Sequence, residues 1–383
     1  MISTQLARVL TLLEVGDALA RVNTRTLAFR IAFCPGDATM PATEPRVIFQ
    51  MTRLLASLAA VALAVLGALP LSAGCVGQNL LATMEPAKRA EIEAAADAIP
   101  FAKGNFWRAT RGEEVITLAG TYHFDDPRHA PNLAALMPSI TGASTVLVEA
   151  GPDEETALKA RIAKDPSTMV ITDGPPLNQQ LPPPVWSDLS KAMAARGIPA
   201  FMTAKFRPWY VLTLLSIPPC AMLEMTAEPE GLDRKVINAA VAAGVPVRAL
   251  EPYDTLLRIF GTLSEAELTE MLVSTLAIEP QSEDYFTTLV DSYFSGESRA
   301  AWELMRFMSY DMPGYTRPQV DAEFARMEEI VAASRNRTWI PVLTKASAQG
   351  PVFAAFGALH LSGQEGVLNL LQKEGFILEE LAL

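Results

Sequence analysis

Two of the three histidines of this 383-residue chain sit in the same local setting. Residues 115–124 read Val-Ile-Thr-Leu-Ala-Gly120-Thr-Tyr-His123-Phe, and residues 352–361 read Val-Phe-Ala-Ala-Phe-Gly357-Ala-Leu-His360-Leu. Each is a short apolar run, then Gly-x-x-His, then a polar break. Imidazole is the side chain that gains or loses a proton near neutral pH, and in its neutral form it is the commonest metal ligand. The matched frames imply a duplicated structural unit that delivers two imidazoles to one site. Two further apolar runs end on a carboxylate: Thr145-Val-Leu-Val-Glu149 and Val245-Pro-Val-Arg-Ala-Leu-Glu251. A carboxylate closing an apolar strand is either desolvated or paired with a cation, unless it simply faces water at the strand's end. These residue types suit general acid–base work or the ligation of a cation.

The elements that must position them read as an α/β chain. Lys88–Ile99 has helical periodicity and stops before Pro100. Phe106–Thr110 and Val115–Ala119 flank Arg111-Gly112-Glu113 as a hairpin. A short helix near Leu133–Ser139 leads to the fully apolar strand at Thr145, the buried parallel type. Residues 165–185 are proline-rich and read as a surface loop, followed by a helix over 185–196, a short strand at 198–202 and an apolar helix over 209–215. A helix to Ala243 and a strand to Leu250 make a second α/β step. From about 260 to 335 the spacing is helical and amphipathic, an insertion or lid. A helix opening at Arg335, strand 352–356, a helix over 364–373 and strand 376–378 close the chain. The fold class expected is α/β: a mixed, mostly parallel central sheet with flanking helices and a helical insertion, carrying two Gly-x-x-His half-units in one domain over 85–383.

The N-terminal region has a different character. Residues 1–50 show no sustained period. Met51-Thr-Arg53 then opens an almost uncharged run, Leu54–Leu71, that ends in Ser72-Ala-Gly-Cys75. A basic start, an apolar middle and small residues at the end are the layout of a secretory signal peptide. Translation is therefore expected to begin at Met51, with residues 1–50 an artefact of the assigned start and 51–75 an export signal. An uncleaved anchor is the competing reading, since 18 residues is the short edge of a spanning helix. Cys75 is similar to a bacterial lipoprotein acceptor, which would tether the protein to a membrane face; plain secretion is the alternative. Either way the protein is expected to be exported, periplasmic or lipid-anchored. With Cys75 so used, Cys220 is expected to stand single in the core, and no disulfide scaffold is expected.

Composition excludes some partners. The chain has 31 Lys+Arg against 43 Asp+Glu, a formal net charge of −12, which argues against nucleic acid. There is no glycine-rich phosphate loop, no His-Glu-x-x-His helix and no Gly-x-Ser-x-Gly turn, so zincin geometry and an elbow-type serine nucleophile are both unlike this chain.

Taken in order, Gly120-Thr-Tyr-His123, Glu149, Lys205-Phe-Arg-Pro208-Trp209, Gly231-Leu-Asp233, Leu250-Glu251, Arg335-Asn336-Arg337-Thr-Trp339 and Gly357-Ala-Leu-His360 resemble the TraB/PrgY/GumN family, which includes the Tiki proteases. The resemblance spans about residues 85–380. It implies an α/β fold related to erythromycin esterases and a peptide-directed activity: Tiki proteins are metal-dependent, membrane-tethered proteases, and PrgY-type members interfere with peptide pheromones. The family's Lys-Pro-Trp is interrupted here, so no role is carried over to Lys205.

Three readings of the chemistry stand side by side. In the first, His123, Glu149 and His360 hold a zinc, manganese or cobalt ion with open positions. Glu251 is then general base or a partner fixing a histidine tautomer, and Arg335 stabilises the oxyanion or is merely a surface charge at a helix start. In the second, hydrolysis needs no metal, and His123 or His360 is the base, oriented by Glu149 or Glu251. The third is an envelope protein that binds and sequesters a peptide. His129 is either an additional ligand or a polar loop residue.

Overall fold

Strand Val352–Gly357 is buried along its whole length, and its side chains alternate between two different cores. Ala354 and Phe356 join one apolar cluster with Leu118, Leu147, Trp339, Leu343 and Leu368. Phe353 and Ala355 join another with Ala119, Val146, Val148, Leu136 and Val236. The two-residue period of a strand explains both memberships, and only a strand covered on both faces reads as a continuous apolar run.

The computed structural model describes residues 75–224, 230–312 and 314–382. The expected start at Met51, the signal segment and residues 1–50 lie outside the described residues. Helix α1 (Pro86–Asp97) precedes β1 (Phe106–Arg111) and β2 (Glu114–Thr121), which form the expected hairpin with Gly112 at φ +61°. Then follow α2 (His129–Thr141), β3 (Thr145–Val148), α3 (Pro152–Lys164), α4 (Pro183–Ala195), α5 (Pro208–Leu215), α6 (Pro219–Glu224), α7 (Leu232–Ala242) and β4 (Val247–Ala249). A helical run, α8 (Thr255–Gly261), α9 (Glu265–Ile278), α10 (Ser282–Phe294), α11 (Ser298–Ser309) and α12 (Arg317–Glu328), separates β4 from α13 (Ser334–Ser347). Strand β5 (Val352–Gly357), α14 (Val367–Lys373) and β6 (Ile377–Glu380) end the fold.

The six strands lie in the order β4-β3-β5-β2-β1-β6. β2, β5, β3 and β4 are mutually parallel, while β1 runs antiparallel to β2 and β6. Helices α2 and α7 cover one face and α13 and α14 the other. The α/β class with a mostly parallel sheet is as the sequence implied. No helix among the described residues is long and apolar enough to cross a membrane.

Two expectations are corrected. Residues 198–202 are not a strand: Pro199 begins a single helical turn, Ala200–Thr203. An apolar run this short fits either structure, and a proline at the N-terminal boundary favours the helix. Cys220 is not single: it forms a disulfide with Cys75. Residues 77–80 run along α10, with Gln78 N bonded to Asp284 and Leu80 N to Thr288, and this strap carries Cys75 to α6. A disulfide and a lipid thioether exclude one another on one sulfur.

The helical material also gathers differently from the sequence pattern. Helices α4 and α5, from before β4, pack with α8 and α9 around Trp209, Tyr210, Phe260 and Leu272. That layer therefore draws on two chain segments rather than on 260–335 alone.

Candidate active site

Each of the four parallel strands delivers one of the expected residues just past its C-terminal end. β2 ends at Thr121 and leads to His123; β3 ends at Val148 before Glu149; β4 ends at Ala249 before Glu251; β5 ends at Gly357 before His360. The crevice beyond the carboxyl ends of parallel strands is where open α/β sheets bind ligands. The register brings the two Gly-x-x-His turns side by side, since Thr121 pairs with Gly357. Gly120 is needed for this: a Cβ there would lie 2.7 Å from Leu361 Cδ1 and 3.0 Å from Ala358 Cα of the other turn.

Arg335 occupies the centre. It is buried, not a surface charge, and it follows a π-helical turn at Glu329–Ala333, a distortion that often marks functional sites. Nε donates to Glu251 Oε2 at 2.8 Å, and Nη2 donates to Glu251 Oε1 and Glu149 Oε2, each at 2.7 Å. Nη1 donates to Val331 O at 3.1 Å and to His360 Nε2 at 3.2 Å. A guanidinium has five N–H groups, and these five contacts use them all. Arg335 thus spends every N–H on these partners and has none left over for an oxyanion.

His360 is equally committed. Arginine only donates, so His360 Nε2 must accept, and its Nδ1–H must donate to Asn336 Oδ1 at 2.5 Å. Burial and the neighbouring guanidinium push its pKa down to about 3. The ring is neutral and has no free nitrogen. Trp339 stacks on it with centroids 4.4 Å apart and donates from Nε1 to Glu251 Oε2 at 3.1 Å.

The pKa values of the two carboxylates move in opposite directions, although burial raises both. At Glu149 burial would raise the pKa, but Arg335, the imidazoles and the Gly357 N–H outweigh it and hold the group well below the usual carboxylate range. At Glu251 burial wins over the bonds from Arg335 and Trp339, helped by repulsion from Glu149, and the pKa is raised. Glu149 Oε1 accepts from Gly357 N at 2.7 Å, so one Gly-x-x-His turn holds the carboxylate of the neighbouring strand.

His123 differs from the rest of the set. It is 8% exposed, and among the described residues its ring nitrogens have no hydrogen-bond partner. Asp233 Oδ1, in the first turn of α7, lies 3.4 Å from Nδ1. His123 is near enough to interact electrostatically with both Glu149 and His360, so the expected residues do share one neighbourhood. A buried, unsatisfied imidazole among them is the atom set that asks for a ligand. His129 is not a polar loop residue: it opens α2, is fully buried, packs on Phe294 and shares a hydrogen bond between Nε2 and Phe124 O.

The expected ligand set does not fit a divalent ion as arranged. Both ring nitrogens of His360 and both oxygens of Glu149 are engaged, and a guanidinium sits 3.2 Å from His360 Nε2, where it would repel a cation. Among the described residues no group of three or more His, Cys, Asp or Glu is placed to hold a metal.

The TraB/PrgY/gumN family profile matches residues 105–380, from the start of β1 to the end of β6. The chain belongs to the TraB/PrgY/gumN family. No curated protein matches it. Asn336, Trp339 and Asp233 are side chains of the site to which sequence reasoning gave no role. All three stood inside family motifs, but nothing in their spacing said which histidine each would face.

Proposed function

We propose that this TraB/PrgY/gumN member is a hydrolase of a carbonyl substrate, a peptide or a similar amide or ester, in which His123 activates water. The observation that carries the reading is the contrast between the two histidines: His360 has both nitrogens committed, whereas His123 is buried with Nε2 uncommitted among the described residues. In the step we propose, the water oxygen attacks the carbonyl carbon while its proton passes to His123 Nε2. Collapse of the tetrahedral species breaks the bond to the leaving alcohol or amine, which takes that proton. Glu149, held by Arg335 and Gly357 through one bond on each oxygen, retains acceptor capacity for a hydrogen bond from water or from a substrate N–H. Glu251, Asn336, Trp339 and His360 keep Arg335 and hence Glu149 in place.

Export is part of the same proposal. It is supported by the leader-like sequence of residues 51–75 and by the Cys75–Cys220 disulfide, since disulfides persist in oxidising compartments.

The test is turnover of a fluorogenic peptide and ester library by the full chain and by His123→Gln. General acid–base catalysis is worth about 10²–10⁴-fold, so His123→Gln should lose at least about 10²-fold with its fold intact. Equal turnover in both proteins contradicts the proposal. Saturable peptide binding with no turnover in either favours a sequestering protein.

A further inference from the structure

The proposed base needs something to fix its ring, and the two glutamates expected for that task are occupied elsewhere. Glu149 is held by Gly357 N and Arg335, and Glu251 by Arg335 and Trp339. What reaches His123 is the start of α7. Gly231, its N-cap, lies so close to the β2 exit that an added Cβ would sit 2.3 Å from His123 C, 2.4 Å from Tyr122 O and 2.5 Å from His123 Cα. Its φ of −63° and ψ of 177° are open to any residue, so space, not backbone freedom, requires glycine there. The next residue, Leu232, donates its N–H to Tyr122 O at 3.0 Å. The one after is Asp233, whose Oδ1 lies 3.4 Å from His123 Nδ1. Three successive residues thus dock on the Tyr122–His123 backbone and on the His123 ring.

We infer that Gly231-Leu232-Asp233 is the positioning unit of His123: glycine permits the approach, the Leu232 N–H fixes it, and Asp233 accepts the Nδ1–H, leaving Nε2 as the lone-pair nitrogen that faces the reacting water. The catalytic consequence rests on the hydrolase reading above; the tautomer does not. The 3.4 Å spacing is longer than a strong hydrogen bond, as such contacts often are before substrate binds. In the wider logic of His–carboxylate pairs the carboxylate sets tautomer and orientation without itself taking the proton.

The experiment is nitrogen-15 NMR of the histidine rings in the full chain, which has three histidines, with His123→Gln used to assign the His123 signal. The wild-type His123 should carry its proton on Nδ1. Asp233→Ala should shift it towards the Nε2–H form, while Asp233→Asn, whose side-chain carbonyl can still accept, should restore the Nδ1–H form. The His360 signal, fixed by Asn336, should stay put in both variants and so report that the fold survives. An Nε2–H wild type overturns the inference without any variant, as does an Asp233→Ala spectrum identical to wild type. If a substrate is in hand, Asp233→Ala should lower kcat by about 10²-fold or more at nearly constant KM. Loss of the hydrolase reading would appear separately, as unchanged turnover in His123→Gln.

Discussion

Replacing Arg335 by methionine is the perturbation whose consequence the structure specifies most fully. The change keeps much of the apolar stem and removes the guanidinium that bonds Glu251 twice and Glu149 once. Glu251 is 6% exposed, so its charge would be left where water cannot reach it. Removing one partner of a buried ion pair costs about 3–5 kcal/mol, and here two carboxylates lose their partner together. A kcal/mol corresponds to roughly 2–4 °C for a domain of 150–250 residues, so the melting temperature should fall by on the order of 10 °C. The pH dependence gives a second handle. Orphaned carboxylates have raised pKa values, so their penalty is present at neutral pH and relieved as pH falls and they protonate. In the wild type Glu149 has a depressed pKa, so its contribution is lost as pH falls below the usual carboxylate range. Both effects narrow the gap between wild type and variant in acid. Adding Glu251→Gln to Arg335→Met should recover about 1–3 kcal/mol, because a neutral amide replaces an unpaired charge. The assay is thermal unfolding of the four proteins of this cycle between pH 4 and 8. An Arg335→Met protein that melts within about 2 °C of wild type at pH 7 would refute the reasoning, as would a gap that widens in acid.

Three further outcomes follow from the same contacts. His360 stays neutral in the fold down to about pH 3 but takes a proton near 6.5 when unfolded; stability should therefore fall by about 1.4 kcal/mol per pH unit across that window from this group alone, and His360→Gln should flatten the slope in urea titrations. Gly120→Ala should destabilise by about 1–3 kcal/mol, read by the same titration at pH 7, because Ala358 Cα stands 3.0 Å from the new methyl. Non-reducing peptide mapping of protein taken from an oxidising compartment should recover Cys75 joined to Cys220, and reduction should cost about 2–4 kcal/mol; an acylated Cys75 peptide would contradict the pairing.

How much of this was legible in the sequence depended on whether the information was local. Strand ends are local: an apolar run broken by Gly-x-x-His or by a glutamate states where the strand stops, and in a parallel sheet the stops share one edge. That is why His123, Glu149, Glu251 and His360 could be named together. Valence is not local. Arg335 read as either an oxyanion donor or a surface charge at a helix start, because a sequence does not show that the residue is buried with all five of its N–H groups taken. The same blindness made His123 and His360 look equivalent, when Asn336, 24 residues before His360, commits one of them. The Cys75–Cys220 pairing spans 145 residues and depends on the strap along α10, which no periodicity announces. Residues 198–202 failed for the opposite reason, being too short for any period to decide.

The most direct test of the central claim, that an uncommitted His123 works beside an Arg335-centred carboxylate network, is an initial-rate measurement on one hydrolysed substrate after exhaustive chelation. The account predicts that turnover survives chelation, gains nothing from added zinc, manganese or cobalt, and disappears in His123→Gln. Turnover that vanishes on chelation and returns with one of those ions would contradict it, and would mean that Arg335 gives way to a metal held by His123, Glu149 and His360.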